Sequence, residues 1–309
     1  MKNERKPLLA LFSAFLMPGL GQIYNGDTMK AVSVFLAFSF CLPVFAWLGL
    51  HGPASCLWLL IIVGALVALA IYVASIIDAY RTAKKIGGSY ELKPLNQLAA
   101  YLSVLFFGYF FVLGQLTQMT KENMVEAFKV PSTSMIPNVL PGDHFFADKR
   151  FNRIGAASRV SRGDLAIFVN PNERSQIYVK RIVGLPGDKI EIADTLVSVN
   201  GKSIQDGAVS DLGNEKLNAL LKDHVAYREK SEHGTYVAIW KKDTKHESLS
   251  IVVPNGQVFV LGDNRDGSHD SRHFGALPLI DVVGKVRQIW FSASAEDGIR
   301  FGRFGMTLK

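Results

Sequence analysis

Ile177-Tyr178-Val179-Lys180-Arg181-Ile182-Val183-Gly184-Leu185-Pro186-Gly187-Asp188 decides how this chain is read. The run is rich in β-branched residues and closes on a Pro-Gly-Asp turn, so it predicts a strand. A lysine sits in the middle, among Ile177, Val179, Ile182 and Val183. Burial disfavours a charged amine, so a lysine in such a setting is a candidate base. Arg181 cannot serve, because a guanidinium does not deprotonate in a protein. By strand alternation it points to the opposite face from Lys180.

The same grammar repeats outward from this run. Strand-like stretches lie at 164–170, 189–192, 196–199, 235–240, 249–253, 257–261 and 282–291. Turn signals separate them: Pro141-Gly142-Asp143, Arg162-Gly163-Asp164, Asn200-Gly201 and Pro254-Asn255-Gly256. Asn200-Gly201 predicts a two-residue hairpin. One stretch, 215–228, has helical spacing. Residues 120–309 therefore read as a mainly-β domain, and the more polar segment 194–254 reads as an inserted β subdomain.

The other half of the chain is different. The whole chain has 309 residues, 49% of them hydrophobic, and a net charge of +7. No Asp, Glu, Lys or Arg occurs in 31–77 or in 98–119. Three runs, 31–50, 57–77 and 98–119, match the ~20 apolar residues that cross a bilayer as helix, with Pro43 a candidate kink in the first. The fold class is an N-terminal α-helical membrane domain followed by a mainly-β catalytic domain. Its parts are a multi-span region at 1–96 and a last span at 97–119.

The shorter run 8–17, ahead of Pro18-Gly19, reads as a re-entrant or interfacial segment. It is not a signal peptide, since no small-x-small cleavage site follows it and three long spans do. Arg81, Lys84, Lys85 and Lys93 place 78–96 inside the cell, and the loop 51–55 has no Lys or Arg. Residues 120–309 then emerge outside. The basic excess fits lipid contact and loop orientation; no recognition-helix or stacking signature supports nucleic acid. Cys41 and Cys56, the two cysteines, both lie in or beside apolar runs, so no disulfide framework holds the β half. Pro18-Gly19-Leu20-Gly21-Gln22-Ile23-Tyr24-Asn25-Gly26, with Asp78-Ala79-Tyr80-Arg81, resembles small two-helix bacterial membrane modules. No chemistry follows from that likeness.

A second motif carries a hydroxyl to match the lysine: Pro131-Ser132-Thr133-Ser134-Met135-Ile136-Pro137-Asn138-Val139-Leu140-Pro141-Gly142-Asp143. A third is Gly262-Asp263-Asn264-Arg265-Asp266-Gly267-Ser268-His269-Asp270-Ser271-Arg272. These two, with 162–168 and 178–188, resemble in order the catalytic boxes of bacterial signal peptidase I. The likeness covers nearly all of 126–292; the longer N-terminal region departs from it. It implies Ser134 as nucleophile and Lys180 as general base, a recognised variant of the hydrolase triad. It implies Ser132 as an oxyanion donor, Ser268 as the hydroxyl that orients the amine, and Asp270 with Arg272 as a structural ion pair. It implies that Phe128, Val130, Pro131, Met135, Val139, Tyr178 and Val179 line shallow pockets for small residues at −1 and −3 of a signal peptide. The implied partners are signal peptides of exported pre-proteins and the lipid bilayer of the bacterial inner membrane, with the secretion translocon as a further candidate. No cofactor or metal is implied.

Ser268-His269-Asp270 holds all three residue types of a serine triad, but consecutive side chains diverge. His269 and His273 are therefore expected to be exposed loop residues. Asp297, Arg300 and Arg303 read as a solvated basic tail against lipid.

Overall fold

The computed structural model describes residues 4–86, 88, 90–150 and 160–308. They form two compact units, Met1–Met124 and Val125–Lys309.

The first unit is helical. α1 (Pro7–Leu16) and α2 (Leu20–Tyr24) precede three helices long and apolar enough to cross a membrane. These are α3 (Thr28–His51), which keeps Pro43 inside it, α4 (Leu57–Ile86), and a composite of α5 (Leu98–Phe106), a π-helical stretch Phe107–Leu113 and α6 (Gly114–Asn123). α1 and α2 fold as a hairpin broken at Pro18-Gly19. Its two ends meet, since the Lys6 N–H donates to the Tyr24 hydroxyl at 3.0 Å. Ala10 and Ala14 pack on Ala79 and Ala83 of α4, while Tyr72, earlier in α4, donates its hydroxyl to the Phe15 carbonyl at 2.6 Å. Gly21 makes this approach possible, because a Cβ there would lie 2.6 Å from both the Ala10 carbonyl oxygen and the Ala79 Cβ. Gln22 donates to the Ser75 carbonyl (2.9 Å) and to Asp78 (3.0 Å), and Asn25 donates to the Ala79 carbonyl (2.7 Å).

The second unit is built on an eight-stranded sheet. Its strands are β1 (Val125–Lys129), β2 (Asp143–Asp148), β3 (Leu165–Val169) and β4 (Ile177–Gly184). After them come two smaller sheets made of β5 (Lys189–Ala193), β6 (Leu196–Val199), β7 (Lys202–Ser203), β8 (Gln205–Val209), β9 (His224–Ser231), β10 (Gly234–Lys241) and β11 (Leu249–Val252). The chain then returns through β12 (Gln257–Leu261), β13 (Leu277–Pro278), β14 (Val282–Ser294) and β15 (Gly298–Ile299). The main sheet runs β1-β2-β14-β3-β4-β12-β13, with β15 on β14. Thus β4 and β12, separated in sequence by β5–β11, are neighbours in space. Phe145, Phe168, Ile182 and Phe259 are fully buried in its cores, each worth roughly 1.5–3 kcal/mol. The hairpin at Asn200-Gly201 has both residues at positive φ (53° and 75°), as its turn type demands.

Two expectations fail in this unit. The helical stretch at 215–228 is helix only over α7 (Glu215–Asn218) and a 3-10 turn, Ala219–Lys222. From His224 the chain is β9, the central strand of the β10-β9-β8 sheet. Partners on both sides satisfy its backbone, which outweighs local helical spacing. The C-terminal arginines are no solvated tail either. Their side chains are only 15% (Arg300) and 14% (Arg303) exposed. Arg303 donates to both oxygens of the buried Asp143 carboxylate (2.9 and 2.6 Å) and to the Asn138 carbonyl (2.9 Å). Arg300 donates to the Pro141 carbonyl (2.6 Å). A carboxylate taken out of water requires such donors. Arg303→Ala should cost about 2 kcal/mol, as for a lost charged hydrogen bond, and lower Tm by roughly 4–8 °C. A thermal melt of the purified protein checks this; an unchanged Tm would make the clamp irrelevant to stability.

Candidate active site

Residues 130–142 close the β1–β2 hairpin, held at their neck by Val130 N–H to Asp143 O and Gly142 N–H to Val130 O, both 2.8 Å. Ser134 lies in this loop and Lys180 on β4, opposite Ala166 of β3. The two are 7% and 4% exposed. Lys180 Nζ and Ser134 Oγ are 2.9 Å apart, in hydrogen-bond contact. The amine also donates to the Val179 carbonyl at 3.1 Å and lies 5.1 Å from the Tyr178 ring.

Burial drives the Lys180 pKa down from 10.5 to about 8, against the opposing pull of the Asp270 and Asp263 charges. Both carboxylates have partners of their own. Arg181 forks onto Asp263 with Nε and Nη2, each at 2.8 Å, both side chains buried. Arg272 forks onto Asp270 with two 2.9 Å bonds, and the Gly262 N–H adds a third at 2.9 Å. Burial would raise the Asp270 carboxyl, but these donors hold it below its usual range. A third buried pair, Arg265 with Glu229, lies in the same region.

Ser132 is exposed, with its hydroxyl 3.2 Å from that of Ser134. Ser268 is buried beside Gly262, yet its hydroxyl makes no hydrogen bond to Lys180 among the described residues. The contact expected to orient the amine is not formed. Phe128, Val130, Pro131, Met135, Val139, Tyr178 and Val179 all line one cavity of about 540 Å³, into which Ser132, Ser134 and Lys180 also open. Lys129, Phe145, Gln176, Gly267 and His269 line it too. Of the apolar neighbours expected around the amine, Ile177 is instead 53% exposed, at the mouth of the cavity. Along 268–270 the side chains alternate between buried and exposed; His269 is exposed and stacked on His273 with ring centroids 4.9 Å apart, and it borders the same cavity without a hydrogen bond to Ser134 or Lys180.

Sequence reading missed the Arg181–Asp263 and Arg265–Glu229 pairs, although Asp263 and Arg265 stand in the third motif. Each partner comes from a distant segment, and Glu229 sits on the strand that continues from the stretch with helical spacing. It also missed Asn138, whose amide donates to Asp263 at 2.7 Å.

Residues 102–291 match the model of the family described as "Signal peptidase, peptidase S26". The chain is 32% identical to signal peptidase I of Buchnera aphidicola subsp. Baizongia pistaciae, over 64% of this chain and 82% of that protein. It is 34% identical to signal peptidase I of Rickettsia typhi, over 55% of this chain and 73% of that protein. The crystal structure of a signal peptidase I from Enterococcus faecalis V583 aligns over 41% of this chain and 97% of its own, at 26% identity and a TM-score of 0.30. A match that spans more than half of the chain, through the hydroxyl loop, the lysine strand and the loop behind them, makes the protein a member of the S26 family of signal peptidases.

Proposed function

We propose that this protein is a membrane-anchored serine endopeptidase that removes signal peptides from exported pre-proteins, with Ser134 as nucleophile and Lys180 as general base. The observation that carries this assignment is the 2.9 Å contact between a buried hydroxyl and a buried amine whose pKa is near 8. A serine is a weak nucleophile until a base takes its proton. Neutral Lys180 takes it as Ser134 Oγ attacks the scissile carbonyl. The Ser134 N–H and the Ser132 hydroxyl hold the oxyanion, and one such donor is typically worth ~100–1000-fold in rate. The ammonium then gives its proton to the leaving amine. Water, deprotonated by the same lysine, hydrolyses the acyl-enzyme and frees Ser134.

β12 pairs with β4 only from Arg181 to Gly184, so Ile177–Lys180 keep a free edge on that side among the described strands. An extended signal peptide adds to such an edge and places alternate side chains in the cavity. Met135, Val139 and Phe145 form a buried apolar floor there, which admits alanine at −1 and −3 and clashes with larger side chains. A non-catalytic scaffold is the rival reading, and the intact Ser134–Lys180 contact weighs against it.

The anchoring fits three spans. Arg5 Nη2 donates to Asn96 Oδ1 at 2.8 Å, so the start of the chain and the segment ahead of α5 share one end of the helical unit. The α1–α2 hairpin is then re-entrant. Basic residues at that end favour the cytoplasm, which puts residues from 125 onward on the outer face of the bacterial inner membrane.

Three outcomes follow from these assignments. With a precursor bearing Ala-x-Ala, Ser134→Ala and Lys180→Ala should each lower kcat/KM by about 10⁴-fold or more, while His269→Ala stays within a few-fold of wild type. Wild-type cleavage by both dyad variants would end the mechanism. Because the base must be neutral, kcat/KM should rise with pH through about 8, tenfold per unit well below it; a flat profile from pH 6 to 9 contradicts the assignment. Finally, an N-terminal tag should survive protease added to the outside of spheroplasts that degrades the β domain. Loss of the tag would refute the three-span arrangement.

A further inference from the structure

Asn138 lies in the same loop as Ser134, on the stretch between the cis Ile136–Pro137 bond and the Pro-Gly-Asp turn. Its Nδ2 donates to two acceptors: the Val237 carbonyl of β10 at 2.7 Å and Asp263 Oδ2 at 2.7 Å. Facing a carbonyl and a carboxylate fixes which end of the amide is which, since only NH₂ satisfies both. The other oxygen of Asp263 takes Arg181 Nε, and Oδ2 also takes Arg181 Nη2. Arg181 is the residue after Lys180. A continuous path of short polar contacts thus runs from the Ser134 loop through one buried carboxylate to the strand that carries the amine. The Asn264 N–H, next along from Asp263, donates to the Ser134 carbonyl at 3.1 Å and reinforces it.

We propose that Asn138 is a positioning residue for the reaction: it pins the Ser134 loop to the Asp263–Arg181 pair and so sets the separation of the nucleophile from Lys180. The proposal rests on the dyad reading above. Asn138 itself touches neither the substrate cavity nor the reacting atoms; it does not line the cavity that holds Ser134 and Lys180. Its action is of two kinds. One is geometric, because a misplacement of about 1 Å at reacting atoms costs ~100-fold. The other is electrostatic. Asp263 is one of the two charges that favour protonated Lys180, and each donor on that carboxylate weakens its hold on the amine proton. Removing the Asn138 donor leaves Asp263 freer to keep Lys180 charged.

Two variants of the full-length enzyme test this, assayed in detergent with an Ala-x-Ala precursor. Asn138→Ala should lower kcat by about tenfold or more with KM within about twofold, and should move the rising limb of the pH profile upward. Asn138→Asp keeps the volume but sets a second carboxylate against Asp263, so it should move the limb further in the same direction. A residue that only stabilises the loop would lower Tm and leave the limb in place. The proposal is overturned if folded Asn138→Ala retains wild-type kcat, or if both variants lose activity with the limb unmoved. Should Asn138→Ala fail to fold, the position of the limb in the isosteric Asp variant decides the matter. Ser134→Ala and Lys180→Ala run alongside as controls. If they cleave, the dyad and the brace both fall; if they are inert while the Asn138 variants behave as wild type, only the brace falls.

Discussion

Among the described residues, the buried Lys180 amine forms no ion pair, and the charged groups around it are arranged to keep that condition. Lowering a lysine from 10.5 to about 8 disfavours its charged form by about 3 kcal/mol. Burial alone would not hold that value if a free carboxylate stood close by, since opposite charges within a few ångströms restore the ordinary pKa. Here the two carboxylates that pull on Lys180 are each forked by an arginine, Asp263 by Arg181 and Asp270 by Arg272. Glu229 is taken by Arg265. The nearby acids are thus neutralised in pairs, and the amine is left beside a hydroxyl.

Such pairs are a poor source of stability, because desolvation offsets much of their attraction. Their value here is registration. Apart from Asp270–Arg272, they join segments far apart in sequence: Arg181–Asp263 joins β4 to the loop after β12, Arg265–Glu229 joins that loop to β9, and Arg303–Asp143 joins β2 to the C-terminal segment. The inserted sheets take part as well. β10 runs beside the loop after β12, where the Ile239 N–H donates to the Asp263 carbonyl and the Arg265 N–H to the Ile239 carbonyl. The insertion therefore backs the lysine rather than hanging from the main sheet as an ornament.

Much of this was legible in the sequence, and the exceptions have a common cause. Punctuated β runs and the Asn200-Gly201 hairpin are local signals, and so are the three long apolar helices. The Ser134 and Lys180 stretches could be singled out because each stands in a recognisable motif, and the structure brings their side chains within 2.9 Å. What failed needed a partner from elsewhere. β9 carries Val225-Ala226-Tyr227 after a leucine-rich turn, and only pairing with β8 and β10 decides between helix and strand. Arg300 and Arg303 looked like a tail because nothing in sequence reveals that Asp143, far back in the chain, is buried and takes Arg303 as its counter-ion. Ser268, expected to orient the amine, is buried beside Gly262 but makes no hydrogen bond to Lys180 among the described residues.

The helical unit obeys the same rule with the opposite result. A helix broken at Pro18-Gly19 frees backbone groups that hydrocarbon cannot satisfy. The structure answers with side chains: Ser75 accepts from the Gly19 N–H through its hydroxyl at 3.3 Å, and Gln22 both donates to the Ser75 carbonyl and accepts from the Ser75 hydroxyl. Lys30 there has its carboxylate, Asp78, at 2.5 Å, whereas Lys180 in the β unit is denied one. Two lysines of one chain thus meet contrary fates for a single physical reason. Lys30 is given an acid to pair with; the two acids that pull on Lys180 are each taken by an arginine, which is what the proposed general-base role would require. That ordering explains why the charges around Ser134 come as closed pairs, and why the residue that touches one of those pairs from the Ser134 loop, Asn138, is an uncharged donor.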